Sequence, residues 1–270
     1  IRAYDTAAGP ALFCLGRHVQ RLFHSARVLR MELPYTPAEI EVAIVDTILA
    51  NGHQACYVRP VAFRGARALS VNPNGCPVNV AIITMEWGSY LGAEALEQGV
   101  DVGVSSWRRM APNTFAPAVK IGGQYINSQF IAMEALRHGY AEGIALDAAG
   151  FVSEGSGENI FIVTGGRIVT PPAVSSILQG ITRGCIMQLA ADMGYDVREE
   201  QVPRELLYMA DELFFSGTAA EITPIRSVDG VVVGSGCRGP VTERLQTEFL
   251  GIAAGRLPDR HGWLTPCVAG

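Results

Sequence analysis

Val119-Lys120-Ile121-Gly122-Gly123-Gln124-Tyr125-Ile126-Asn127-Ser128 is the stretch from which the organisation of this chain follows. It reads as the end of an apolar strand, a Gly-Gly break and the first turn of a helix. The helix is predicted over 124–138, with Ile126, Phe130, Met133 and Leu136 inward and Gly139 as its cap. Downstream the pattern keeps alternating. Short strands are predicted over 143–146, 151–153, 159–163 and 167–169, the last two joined by a Gly165-Gly166 hairpin turn. A helix follows over 181–193, closed by Gly194, and then a strand over 196–202. A helix over 203–210, a strand over 212–216 ending at Gly217-Thr218, and a late helix over 239–250 complete the run.

Upstream, a short strand is predicted over 12–15 and a helix over 18–31, with Leu22, Ala26 and Leu29 on one face. Thr36-Pro37-Ala38-Glu39 is a capping box with proline at the first helical position. Its helix runs through Ile40, Ile44 and Ile48 and stops at Asn51-Gly52. Two β-rich runs, 56–63 and 78–86, are separated by an Asn72-Pro73-Asn74-Gly75 turn. Residues 87–101 are glycine-spaced and aromatic at their start, and strand composition resumes over 102–107. The expected organisation is therefore α/β (α+β) in two domains: a small one over 1–86, a linker over 87–101 and a larger one over 102–270. The chain opens Ile1-Arg2-Ala3-Tyr4 without a methionine, so a start inside the first domain is expected.

Composition narrows the function. Of the 270 residues, 49% are hydrophobic and 17% charged, which excludes a disordered tail or a disulfide-stapled miniprotein. The 21 basic against 26 acidic residues give a net charge of −5, with no basic excess to suggest nucleic acid. No basic cluster suggests a membrane surface, and apolar runs fall short of the ~20 residues of a spanning helix. The cysteines Cys14, Cys56, Cys76, Cys185, Cys237 and Cys267 show neither CxxC nor zinc spacing, and read as buried thiols in a reducing cytoplasm. One count stands out: a single lysine, Lys120, among 21 basic residues. Arginine does almost everything lysine does except lose its proton near neutral pH and attack a carbonyl. Lys120 is thus either a chance survivor or the place where amine chemistry is needed.

Beside the flexible Gly122-Gly123, Lys120 is placed either as a solvated strand-end lysine or to form a Schiff base with a carbonyl substrate or pyridoxal phosphate (PLP). PLP needs amides at a helix N-terminus for its phosphate, and Leu178-Gln179-Gly180-Ile181-Thr182-Arg183 offers a glycine turn leading into a helix. Ser216-Gly217-Thr218-Ala219-Ala220 offers a second small-residue exit from a strand. The pyridine nitrogen needs a carboxylate, and Ser153-Glu154-Gly155-Ser156-Gly157-Glu158-Asn159 holds two. Each segment alone also fits an ordinary turn. Tyr57 and Arg59 share one strand face and could meet an amino-acid carboxylate.

In combination these segments resemble the class IV, fold-type IV PLP-dependent aminotransferases. Residues 119–128, 137–147 followed by 153–159, 180–183 and 216–224 carry the resemblance, in order, over nearly the whole chain. Tyr57-Val58-Arg59-Pro60 and 87–92 are similar to the bacterial branched-chain branch of that family. The resemblance implies a small N-terminal domain and a larger one with a β-barrel-like core. It implies that Lys120 holds PLP as a Schiff base and moves the proton at the substrate carbon, that Glu154 pairs with the pyridine nitrogen, and that Tyr125 bonds the ring hydroxyl. Arg21, Gly180, Ile181, Thr182, Gly217 and Thr218 would take the phosphate, and Leu178 the ring face. Tyr57, Arg59, Trp87, Tyr90, Ala219 and Ala220 would shape the substrate pocket. The implied reaction passes the amino group of L-leucine, L-isoleucine or L-valine to 2-oxoglutarate. The implied protein is a cytoplasmic homodimer or higher homo-oligomer, with no metal, membrane or nucleic-acid partner. Relatives carry a few dozen residues upstream of Ile1, including an aromatic segment lining the side-chain pocket. A D-amino-acid or (R)-amine transaminase, an aminodeoxychorismate lyase, a cofactor-free Schiff-base aldolase and a non-enzymatic binding protein remain as alternatives.

Overall fold

A computed structural model describes residues 1–67, 70–88, 91–92 and 94–268. The chain divides into two compact units, Ile1–Trp87 with Gly251–Gly270, and Gly88–Leu250. The first contains β1 (Arg2–Thr6), β2 (Gly9–Phe13), α1 (Leu15–Val28), α2 (Pro37–Ala50), β3 (Cys56–Arg64) and β4 (Val78–Met85). The second begins with α3 (Ala95–Gln98), β5 (Val100–Val104), α4 (Tyr125–Arg137), β6 (Glu142–Leu146) and β7 (Val152–Gly155). It continues with β8 (Asn159–Thr164), β9 (Arg167–Thr170), α5 (Ile181–Asp192), β10 (Asp196–Glu199) and α6 (Leu206–Met209). Then come β11 (Glu212–Gly217), β12 (Glu221–Val228), β13 (Val231–Val232) and α7 (Pro240–Ala253), and β14 (Leu264–Pro266) returns to the first unit.

Among the described residues the first unit holds one five-stranded sheet, β14-β2-β1-β3-β4, antiparallel throughout. Val58 points into its core with Leu12, Val19, Ile40, Ile44 and Ile48, so the alternation of β3 sends Tyr57 and Arg59 to the opposite face. The predicted capping box starts α2: the Thr36 hydroxyl accepts from the Glu39 amide, and the Glu39 carboxylate accepts from the Thr36 amide at 2.7 Å.

In the second unit a mixed sheet runs β10-β9-β8-β11-β12-β5-β6-β7, with β13 on β12. β7, last in that order, connects to β8 through Ser156, Gly157 and Glu158 alone, and the Gly155 amide bonds the Glu158 carbonyl at 2.7 Å. So short a link brings the sheet's end back onto its middle, and the sheet curls into a barrel-like core. Val102, Ile144, Val152, Ile160, Ile162, Leu213, Phe215 and Ile225 fill it. The tight β7–β8 turn places its side chains at one mouth of that curl.

Several expectations change. Residues 251–270 do not belong with the larger domain: β14 pairs with β2, and the Cys267 amide bonds Pro10 O, so they complete the first sheet. The expected linker ends early, since Ala95–Gln98 is helical and Val100 opens β5. Lys120 does not end a strand; it lies in a loop. Proline at 112 and 117 withholds ladder donors there, and the Gln124 side chain donates to Ala116 O and to Val119 O. The stripe expected inward on α4 faces out: Ile126 is 57% and Leu136 65% exposed, while Ile131 and Ala135 pack on β6. Ile131 meets the bare backbone of Gly143, where a Cβ would stand 2.7 Å from its Cγ2. α1 starts at Leu15, and Leu29 lies beyond its end and exposed. Cys14, Cys56, Cys185 and Cys267 are buried as expected, but Cys76 is half-buried and Cys237 exposed; all six are free thiols.

Candidate active site

Lys120 follows the loop that Gln124 ties down, and a single 3-10 turn, Gly122–Gln124, leads into α4. That turn carries Tyr125 round to the lysine: Lys120 Nζ lies 2.7 Å from Tyr125 Oη. The lysine is exposed, as an amine that must meet a small molecule has to be.

Behind it stands Glu154 on β7, 4% exposed. Its Oε1 pairs with Arg109 Nη2 at 2.8 Å. Its Oε2 accepts from Asn159 Nδ2 and from the Leu178 amide, both at 3.0 Å. Burial pushes this carboxyl up to about 7, opposed by the charge of Arg109, the Leu178 amide and the charge of Lys120. Glu158, also buried, is pushed well above the usual carboxylate range by burial and by the charges of Glu142 and Glu154. Glu142 is raised by burial, against bonds from the Gly143 amide and the Ser156 hydroxyl.

Asn159 connects this carboxylate to the next loop, since its amide also donates to Leu178 O at 2.8 Å. Leu178 leads to Gly180, the N-cap of α5, which has no side-chain cap. The first-turn amides, Ile181 and Thr182 among them, therefore lack helical acceptors and can meet an anion. Across β8, Asn159 pairs in register with Ser216, and Gly217 opposes Glu221 on β12. Thr218, Ala219 and Ala220 thus form a three-residue hairpin loop, closed by Glu221 in the left-handed region at φ 53 and by Thr223 Oγ1 donating to Ala220 O at 2.7 Å. A Cβ at Gly217 would lie 3.7 Å from Glu158 Cγ, which puts this loop beside the acidic turn.

The second unit therefore brings together Lys120, Tyr125, Glu154, Leu178, Gly180, Ile181, Thr182, Gly217, Thr218, Ala219 and Ala220. In the first unit, Arg21 lies on α1 with Nη2 3.4 Å from His18 Nδ1. Tyr57 and Arg59 share one face of β3, and the rings of Tyr57 and Trp87 are 5.4 Å apart. Tyr90 lies outside the described residues. Arg109 and Asn159 were missed as site residues. Asn159 gave one sign, a polar residue opening an apolar strand; Arg109 gave none, because its partner is 45 residues away.

The donor set fits PLP. A buried carboxylate, a lone amine bonded to a phenol, and an uncapped helix start match the ring nitrogen, aldehyde carbon, ring hydroxyl and phosphate of that group. Among the described residues no group of three or more His, Cys, Asp or Glu could hold a metal ion.

The amino-transferase class IV family model matches residues 1–228. The chain belongs to the class IV aminotransferases. It is 51% identical to the branched-chain-amino-acid aminotransferase of Salmonella typhimurium over 267 residues, which is 98% of this chain and 86% of that protein. Its identity with the Escherichia coli K12 protein of the same name is also 51%, over 265 residues. The crystal structure of the Escherichia coli branched-chain amino acid aminotransferase superposes with a TM-score of 0.98 at 50% identity, covering 99% of this chain and 88% of that one. The branched-chain amino acid aminotransferase of Thermobaculum terrenum, solved in its PLP form, gives 0.94 at 33% identity, covering 100% of this chain and 88% of that one.

Proposed function

We propose that this chain is a PLP-dependent branched-chain-amino-acid transaminase, moving the amino group of L-leucine, L-isoleucine or L-valine to 2-oxoglutarate. The observation that carries the proposal is the placing of the chain's one lysine against Tyr125 Oη at 2.7 Å, under the charge of the buried Glu154. Identity of 51% with branched-chain aminotransferases over 98% of the chain supports the substrate class.

Bound PLP supplies an electron sink for the carbon that loses its proton. The chain's own residues do the rest. Lys120 Nζ takes and returns the proton at the substrate α-carbon, and Tyr125 Oη positions that amine. Glu154, Tyr125, Leu178, the Ile181 and Thr182 amides, Gly180, Gly217 and Thr218 would hold the cofactor, and Arg21 is added on the strength of the resemblance alone. Within the first unit, Tyr57 and Arg59 on one strand face, beside Trp87, offer a phenol and a guanidinium to a carboxylate. Within the second, the Thr218–Ala219–Ala220 loop offers backbone amides. Tyr90 joins this set on the strength of the resemblance.

The working form is a homodimer or larger homo-oligomer. The outward apolar stripe of α4 supports this, with Trp107 stacked on Phe130 at 4.6 Å and Met133 and Leu136 more than half exposed. Six free thiols fit a cytoplasmic location. No helix among the described residues is long and apolar enough to cross a membrane.

The test is Lys120→Ala. It is expected to abolish transfer from L-leucine to 2-oxoglutarate; measurable turnover in that variant, without added amine, would sink the proposal. Parental enzyme that took its amino group from D-alanine and not from L-leucine would move it to another branch of the family.

A further inference from the structure

Arg109 is 5% exposed and reaches Glu154 from a different part of the chain. Its backbone is anchored by its amide to Leu146 O at 2.8 Å. One terminal nitrogen, Nη2, pairs with Glu154 Oε1. The other, Nη1, donates to Asn127 Oδ1 at 3.0 Å and to Ser128 Oγ at 3.4 Å, both in the first turn of α4, just after Tyr125. The guanidinium therefore joins the lysine-bearing segment to the strand that carries Glu154. Its Nε is buried with no hydrogen-bond partner. A buried guanidinium with an unmet donor is destabilising by itself, so stability alone does not account for it.

The lone pairs of Glu154 say what the guanidinium does there. Each carboxylate oxygen accepts about two hydrogen bonds. Oε2 already takes two, from Asn159 and from Leu178. Oε1 takes one, from Arg109, and so keeps the open position. Any N–H presented to this carboxylate must share Oε1 with the guanidinium.

We infer that Arg109 is a positioning residue that favours the ionised form of Glu154 and leaves Oε1 as its one open acceptor. Other charged and polar groups facing Glu154 are Lys120 across the loop, Glu158 on the β7–β8 turn, Asn159 on β8 and the Leu178 amide. The charge of Lys120 also favours the ionised form, and Arg109 is the one cation in contact with this carboxylate among the described residues. The inference rests on the reading that Glu154 faces the ring nitrogen of PLP, and its effect there is to keep a negative charge available at neutral pH. An opposite charge at this range lowers a carboxyl by about 1–3 pH units, so removing it raises the midpoint by a similar span.

The test uses the full chain with Arg109→Gln, which removes the charge but keeps an N–H donor, and Arg109→Lys, which keeps the charge. In the cofactor-free protein, the carboxylic-acid C=O infrared band that Glu154→Gln removes reports the protonation of Glu154 directly. Its midpoint is expected to rise by at least about one pH unit in Arg109→Gln and to stay near the parent in Arg109→Lys. In the PLP-loaded enzyme, Arg109→Gln is expected to lose about fivefold or more of its rate at neutral pH and to recover it as pH is raised. An unmoved infrared midpoint in Arg109→Gln overturns the inference and leaves the transaminase reading standing. Parental transamination by Glu154→Gln overturns the assignment of Glu154 itself, whatever Arg109 does. If Arg109→Gln fails to fold, Arg109→Lys decides: a midpoint raised as far as loss of the charge demands, though the charge is kept, refutes the role.

Discussion

Two glycines four residues apart should answer the same substitution with opposite signs. Gly180 is the N-cap of α5 at φ −65 and ψ 136, a conformation alanine adopts without strain. The obstacle is Asn159. A Cβ at position 180 would stand 2.1 Å from Asn159 Oδ1, with Arg183 Cβ at 3.3 Å on the other side. Asn159 is 5% exposed and cannot swing into solvent. To make room it must give up its bonds to Glu154 at 3.0 Å and to Leu178 O at 2.8 Å. The first involves a carboxylate and is worth about 1.5–3 kcal/mol; the second contributes about 0.5–1.5 kcal/mol. Loss of chain freedom in the unfolded state returns about 0.4–1 kcal/mol. Gly180→Ala should therefore destabilise by about 1–4 kcal/mol and weaken PLP retention. Gly184 lies inside α5 on its exposed side, and a Cβ there would meet nothing within 4 Å. Gly184→Ala should stabilise by about 0.5–1 kcal/mol through helix propensity alone. Urea unfolding of the cofactor-free proteins measures both. If Gly180→Ala unfolds at or above the parental midpoint, Asn159 is not the clamp described, and the link between Glu154 and the 178–180 loop fails with it.

Two further outcomes are expected. Glu212 is buried, and its carboxylate accepts from the Val241 and Thr242 amides at 2.9 and 2.8 Å and from the Thr242 hydroxyl at 2.6 Å. Glu212→Ala should cost about 2–4 kcal/mol in thermal unfolding, and a shift within error would show that the start of α7 does not depend on it. Burial and the charges of Glu142 and Glu154 push the Glu158 carboxyl well above the usual carboxylate range, which favours its uncharged form, and Glu158→Gln mimics that form. Its transamination rate at neutral pH should stay within a few-fold of the parent, and a hundredfold loss would mean that Glu158 works as an anion.

The sequence speaks most clearly where one residue type has one structural use. Gly165-Gly166 forms the predicted hairpin turn because both take positive φ, 55 and 78, which other residues resist. Thr36 and Glu39 build their capping box from local bonds alone. Lys120, the one lysine, and the start of α5 stand out by residue type, whereas Tyr125 and the choice of Glu154 over Glu158 enter only with the family resemblance. What depended on distant partners was not legible. α4 carries apolar residues on two faces, and its period cannot say whether Ile131 or Ile126 meets the sheet. β12 is buried almost throughout and contains Pro224, so it lacks the alternation that marks a half-buried strand. β14 gains its place from β2 and the loop before α4 from Gln124, contacts that no local window contains.

The same limit explains why the two glutamates of the β7–β8 turn looked interchangeable in the sequence. Both are buried at 4% exposure, only four residues apart. Spacing alone cannot say which one carries charge. Three buried carboxyls, Glu142, Glu154 and Glu158, share this region, and among the described residues an arginine contacts only one of them. Burial raises all three, because a charged group in a poorly solvated place loses its hydration. Glu158 has no contacting cation among the described residues to offset that loss, and the charges of Glu142 and Glu154 add to it, so its carboxyl is pushed well above the usual range. Glu154 has Arg109 at 2.8 Å and holds an ionised form within reach of neutral pH. The contacting guanidinium thus sets the two carboxyls apart: it favours the charged form of Glu154, while Glu158, without one among the described residues, is driven toward its neutral form.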